Sequence, residues 1–249
     1  MDYQHIRFER QDKVAWITLY RPEKMNALTD IMIAEWRQVL DQLAEDESCS
    51  VVVVKGEGRA WSAGVDLSIF QHSKVERGFE MWEDGMKIMH HLEHMPQVTI
   101  AMLNGHCFTG AMELMLAFDL VLAADEAKIG DTHAKWGIAP KWGMTQRLQK
   151  LVGLRKAKEL SFTAQPISGQ EAARIGLVNA SVPAAELPAA VDQLLAGILQ
   201  NSSQALAGIK HVYQYGAAHT LDEGLKYEID YQMKLTDKAD ELKNFKKNI

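Results

Sequence analysis

Four consecutive valines, Val51 to Val54, constrain the fold more than any other stretch of this chain. A strand with one face in water alternates apolar and polar residues, whereas an unbroken β-branched run must be covered on both sides. Sheets covered on both faces are mostly parallel, with helices in the crossovers. The surrounding pattern agrees. Residues 14–19, 50–55, 98–103 and 119–124 read as strands, and residues 29–44 and 79–95 as helices, with Thr29 as N-cap of the first. The class is α/β, and alternating strands and helices imply right-handed crossovers.

Beyond residue 150 the pattern changes. Residues 151–162, 168–176, 184–200, 203–215 and 221–246 read as helices, with a single strand candidate at 177–182. In the last of these helices Tyr227, Tyr231, Leu235, Leu242 and Phe245 need cover, from a partner subunit or from the chain's own core. A net charge of -6 argues against non-specific nucleic-acid binding, and no uninterrupted apolar span suggests a membrane segment. Cys49 and Cys107 lack CxxC spacing and read as reduced thiols, which makes the cytoplasm the expected location.

Residues 104–116 carry the most chemistry. Gly110 lies where the apolar strand 98–103 and a short turn pass into an amphipathic run, 111–117. Unpaired N–H groups at such a junction carry the positive end of the backbone dipoles and can hold a developing oxyanion. Glu113, three residues on, shares nearly the same helical face. A carboxylate beside an anion hole suits proton transfer next to a carbonyl carbon. The bland alternative is that Gly64 and Gly110 only permit tight turns and that Glu113 only complements the helix dipole. Other patterns are weaker: His90 and His94 are spaced i, i+4 without an acidic ligand motif, so no metal is expected. Gly56-x-Gly58 is too short for a dinucleotide loop, and the GxSxG nucleophile elbow is lacking.

Four segments in order, residues 17–28 (ITLYRPEKMNAL), 61–67 (WSAGVDL), 104–114 (NGHCFTGAMEL) and 143–148 (GMTQRL), resemble the signatures of the crotonase (enoyl-CoA hydratase/isomerase) superfamily. The resemblance implies a spiral of ββα units over residues 1–190 and a helical trimerisation region over 191–249. It also implies a homotrimer or homohexamer acting on acyl-CoA thioesters, with no cofactor besides the CoA of the substrate. It makes the Val65 and Gly110 N–H groups the oxyanion donors and Glu113 the residue that activates water.

His133 departs from the pattern: twenty residues after Glu113, it stands where typical hydratases carry a second glutamate. It can shuttle a proton, or merely line the pocket and hydrogen-bond Asp131. Residues 140–144 (PKWGM) depart as well. Lys141 is expected to hold Glu113 or a polar substrate group, or else to be plain surface, and Trp142 to form a flat pocket wall. CoA recognition falls on Met25, Ala27, Ala63, Asp66 and Leu67, with helix capping as the alternative role of Asp66. Lys243, Lys246 and Lys247 are candidates for CoA phosphates or simply solvated. The implied activity is enoyl-CoA hydration. The alternatives are an isomerase, hydrolase or decarboxylase using Glu113 as the only acid/base, or a non-catalytic acyl-CoA-binding protein.

Overall fold

The computed structural model describes residues 3–71, 75–233 and 236–237. Among the described residues, ten strands form two sheets. The first pair, β1 (Ile6–Gln11) and β2 (Val14–Leu19), is an antiparallel hairpin. Then come β3 (Val51–Gly56), β4 (Ala60–Ser62), β5 (Val98–Leu103), β6 (His106–Phe108), β7 (Leu120–Ala124), β8 (Lys128–Gly130), β9 (Ile167–Ser168) and β10 (Ala180–Val182). The larger sheet runs β1-β2-β3-β5-β7-β10, parallel from β2 onward, and the smaller runs β4-β6-β8-β9.

The valine run sits where its composition demands. Val51 to Val54 are fully buried, in register with Val14 to Ile17 on one side and Val98 to Ala101 on the other. Helix Asp30–Ala44 covers this region with Met32, Ile33, Trp36, Val39, Leu40 and Leu43. Thr29 caps it by accepting a hydrogen bond from the Met32 amide at 3.1 Å.

A repeated unit follows from the strand order. β3 passes into β4, β5 into β6 and β7 into β8, each time leaving the large sheet for the small one before helical structure begins. These successive strand–strand–helix turns build a spiral. At Gly105 the step is so tight that a Cβ would lie 2.1 Å from the Arg59 carbonyl oxygen, so only glycine fits between β5 and β6.

Several boundaries differ from the sequence reading. The glycine-rich stretch 56–64 contains β4, which pairs with β6. The helix expected over 151–162 is two helices, Met144–Val152 and Leu154–Thr163, parted at Gly153 with φ +76°. The strand expected at 177–182 shortens to Ala180–Val182. Among the described residues, the helix expected over 221–246 spans Leu221–Asp230, and Tyr231 turns to extended backbone at φ -70° and ψ 121°. Leu235, Leu242, Phe245, Lys243, Lys246 and Lys247 lie outside the described residues. Helix Ser203–Ala218 is tied to the spiral by buried Lys210, which donates to the Leu92 and Gln97 carbonyls and to Asp119. Among the described residues, no helix is long and apolar enough to cross a membrane.

Candidate active site

Two loop segments meet at the mouth of the spiral. Leu28 and Val65 form a parallel bridge in which the Leu28 amide donates to the Gly64 carbonyl and the Asp66 amide to the Leu28 carbonyl. Backbone groups alternate along an extended segment, so the Val65 N–H faces away from that bridge. Gly64 has φ +90°, and a Cβ there would lie 2.0 Å from Thr109 Oγ1 and 2.7 Å from the Phe108 carbonyl. Only glycine lets residues 63–66 press onto residues 108–110. Gly110 starts the helix Gly110–Met115, where its amide has no intrahelical acceptor. A Cβ on Gly110 would sit 3.1 Å from Val65 Cγ2, so the two segments touch.

Both line a cavity of about 560 Å³ that also holds Glu113 and His133. Glu113 is 1% exposed. Its Oε1 accepts hydrogen bonds from the Trp142 amide at 2.8 Å and the Met144 amide at 3.1 Å. Its Oε2 lies 3.4 Å from His133 Nε2. The other ring nitrogen, Nδ1, is 2.6 Å from Asp131 Oδ1, which also accepts from the His133 backbone N–H at 3.2 Å. Three ionisable groups from two separate stretches of chain therefore converge in a buried row.

Their charges reinforce one another. Burial alone would lower the His133 pKa. The hydrogen bonds and negative charges of Asp131 and Glu113 outweigh burial and raise it to about 9. Burial would raise that of Asp131, but hydrogen bonds from His133 and Ser161 hold it below the ordinary carboxyl range. The histidine is cationic at neutral pH and Asp131 is ionised.

The remaining candidates sort by position. Met25, Ala27, Ala63, Asp66, Leu67 and Lys141 all line the same cavity as Val65, Gly110, Glu113 and His133. Asp66 also accepts from the Ser68 amide at 3.1 Å and pairs with Arg21 at 3.1 Å, so the turn-capping role is present too. Trp142 requires a correction: it is fully buried and does not line the cavity. Its indole N–H donates to the Trp82 carbonyl at 3.1 Å and its ring packs on Trp82, leaving Trp82 as the cavity wall. Of the roles open to Lys141, the ion pair with Glu113 is not formed, and the side chain is exposed at the cavity rim. The main chain of residues 142 and 144 takes that place.

Trp82, Trp136, Ile138 and Lys24 also line the cavity and were not singled out from sequence. Trp82 belongs to the long helix Val75–His94, whose amphipathic pattern does not tell which face meets a cavity formed by distant loops. Trp136 carried a local signal, since it follows His133 by three residues in the same short helical turn. Among the described residues, no group of three His, Cys, Asp or Glu side chains is placed to hold a metal ion. His90 instead stacks on His94 at 4.3 Å.

Comparison with known proteins adds a family and a fold. A family model described as Enoyl-CoA hydratase/isomerase matches residues 9–247. A short-chain-enoyl-CoA hydratase of Clostridium acetobutylicum is 32% identical over 229 residues, covering 92% of this chain and 88% of that protein. Among solved structures, an enoyl-CoA hydratase from Bacillus anthracis superposes with a TM-score of 0.87 at 33% identity, covering 91% of this chain and 89% of that one. A Thermobifida fusca structure in complex with acetoacetyl-CoA matches with a TM-score of 0.82 at 29% identity, over 91% of this chain and 92% of that one.

Proposed function

The chain belongs to the enoyl-CoA hydratase/isomerase family, and on that premise we propose that it hydrates the 2,3 double bond of an enoyl-CoA thioester. The observation that carries this reading is Glu113 with one carboxylate oxygen held by two amides and the other facing His133, beside the touching Val65 and Gly110 segments. The thioester oxygen is held by the Val65 and Gly110 N–H groups. Fixed donors stabilise the enolate oxygen without reorganising, an effect worth about 3 kcal/mol per donor in comparable sites. Polarisation of the conjugated system makes C3 electrophilic.

Glu113 Oε2 accepts a proton from water as the water oxygen bonds to C3. The π electrons move through C2 onto the thioester oxygen, and collapse of this enolate forms the C2–H bond with a proton from His133 Nε2. The reaction needs no cofactor besides the CoA carried by the substrate. Met25, Ala27, Ala63, Asp66 and Leu67 flank the CoA, while Trp82, Trp136 and Ile138 supply apolar surface for the acyl chain. The acyl-CoA complex of the Thermobifida relative supports this class of ligand.

The test is hydration of crotonyl-, methacrylyl- and cinnamoyl-CoA by purified protein, followed at the enoyl-thioester absorbance in heavy-oxygen water. Product gaining one solvent oxygen supports the reading. Bond migration without oxygen uptake makes the protein an isomerase, and CoA binding without any turnover removes the enzyme altogether.

A further inference from the structure

His133 is held from both ends of its ring by oxygens that can only accept when ionised. Nδ1 lies 2.6 Å from Asp131 Oδ1, and Nε2 lies 3.4 Å from Glu113 Oε2. A neutral imidazole has one N–H, so it would set a bare nitrogen against one of the two carboxylates. Only the imidazolium offers a proton to each. Asp131 is itself 2% exposed, and its Oδ1 receives both the ring and the backbone N–H of His133, which leaves the ring little freedom to turn.

We propose that Asp131 is a positioning residue that holds His133 with its protonated Nε2 turned to the reaction, so that Asp131, His133 and Glu113 form one proton circuit. This rests on the hydratase reading above. In each turnover Glu113 gains a proton from water and His133 loses one to C2. The pair then resets when the proton on Glu113 Oε2 passes to His133 Nε2 across their 3.4 Å contact. The proton ledger closes: water contributes hydroxide to C3 and, through the circuit, one proton to C2. Asp131 stays ionised throughout and stabilises the imidazolium as it re-forms.

The electrostatic surroundings agree. The histidine titrates near 9, with Asp131 and Glu113 as the charges that raise it. Glu113 faces it from helix Gly110–Met115, and Asp131 from the residue that follows β8. Helix Leu154–Thr163 packs on the turn and contributes the Ser161 hydroxyl to Asp131. Its Arg155, Lys158 and Glu159 are exposed, and Lys156 is paired with Glu159. Lys135 on the turn itself, Lys128 on β8 and Lys141 at the rim are exposed to solvent.

The deciding experiment follows the His133 ring by NMR from pH 5 to 10 in the wild type and in Asp131→Asn, alongside pH–rate profiles. The wild-type ring is expected to titrate near 9, and Asp131→Asn to lower that midpoint by ~1–3 units, the effect of losing one adjacent charge. The alkaline limb of kcat should move down with it while KM for the enoyl-CoA stays within about twofold, and Asp131→Glu should restore part of both. A fall in kcat with both midpoints unmoved would mean that Asp131 is only structural and overturns the proposal. If Asp131→Asn does not fold, a wild-type midpoint near 6.5 overturns it equally. The ring titration needs no turnover, so a protein that hydrates nothing sinks the hydratase reading while the midpoint shift still reports on the Asp131–His133 coupling.

Discussion

The main-chain amide of Trp142 donates to Glu113 Oε1 at 2.8 Å, across 29 positions of sequence, and the Met144 amide joins it at 3.1 Å. Gly143, between the two donors, has φ +91° and lets the chain turn into helix Met144–Val152 with both N–H groups aimed at one oxygen. Residues 140–144 therefore act on Glu113 through backbone, and their unusual side chains leave that contact intact.

This separates two substitutions at one contact. Glu113→Gln keeps an oxygen for both amides but removes the proton acceptor, and hydration should fall by at least ~10²-fold. Trp142→Phe keeps both amides and loses the indole bond to the Trp82 carbonyl, so kcat should stay within several-fold. It should lower unfolding free energy by ~1–3 kcal/mol. Enoyl-thioester absorbance and urea unfolding, run on both variants, check the contrast. Glu113→Gln at near wild-type turnover would show that the carboxylate was assigned wrongly.

Gly64→Ala should be more damaging than its size suggests. A positive φ already disfavours alanine by about 1 kcal/mol or more, and the new Cβ would meet Thr109 Oγ1 at 2.0 Å. Relief requires residues 63–66 to move off residues 108–110, which displaces the Val65 amide relative to Gly110. Loss of one oxyanion donor corresponds to a ~10²–10³-fold fall in kcat. A variant with wild-type kcat would show that the Val65 amide does not serve the reaction.

The middle of the larger sheet was legible because β2, β3, β5 and β7 are largely apolar runs: Val98–Leu103 emerges with the boundaries its composition predicts, and Thr29 caps the helix it was expected to cap. The smaller sheet was not, because β6 and β8 hold three residues each and mix polar with apolar positions. Such short strands are fixed by tight glycine steps and pairing partners rather than by their own pattern. Of the cavity, the glycine turns and Glu113 were readable as local chemistry. Trp142 was misplaced because sequence cannot tell an indole facing a cavity from one packed behind its wall. Lys210 gave no sign of its role, since its partners come from three separate segments.

His133 should also make stability depend on pH. Its pKa rises from an ordinary 6.5 to about 9 in the folded chain, so the stabilisation is fully present below pH 6.5, fades between those values and is gone above. Such a shift corresponds to on the order of 3 kcal/mol. Asp131, held below its ordinary value of 3.8, contributes above that value and loses its share as pH falls through its depressed pKa. The Tm difference between wild type and His133→Gln should be largest near pH 6 and close to zero above pH 9. A difference that stays constant over that range would mean that the buried row is not ionised as described.

Lys210 offers the sharpest stability test. Its side chain is 7% exposed, and its ammonium satisfies the Leu92 carbonyl at 2.7 Å, the Gln97 carbonyl at 2.9 Å and Asp119 Oδ2 at 2.7 Å. Burial lowers its pKa and the Asp119 charge only partly offsets that, so the ion is held by its partners rather than by solvent. Lys210→Met would strip the donor from all three, leaving Asp119 with Thr99 as its remaining partner. Breaking one side of such a pair typically costs ~3–5 kcal/mol. Because Leu92 lies in the last turn of the helix that carries Trp82, and Lys210 sits on helix Ser203–Ala218, the loss should loosen the latter helix from the spiral. Urea unfolding of Lys210→Met, Asp119→Asn and the double variant would measure it. The double variant should be less destabilised than the sum of the two. Additive single effects, or a loss below about 1 kcal/mol in Lys210→Met, would show that the pair does not fasten the helix Ser203–Ala218 to the core.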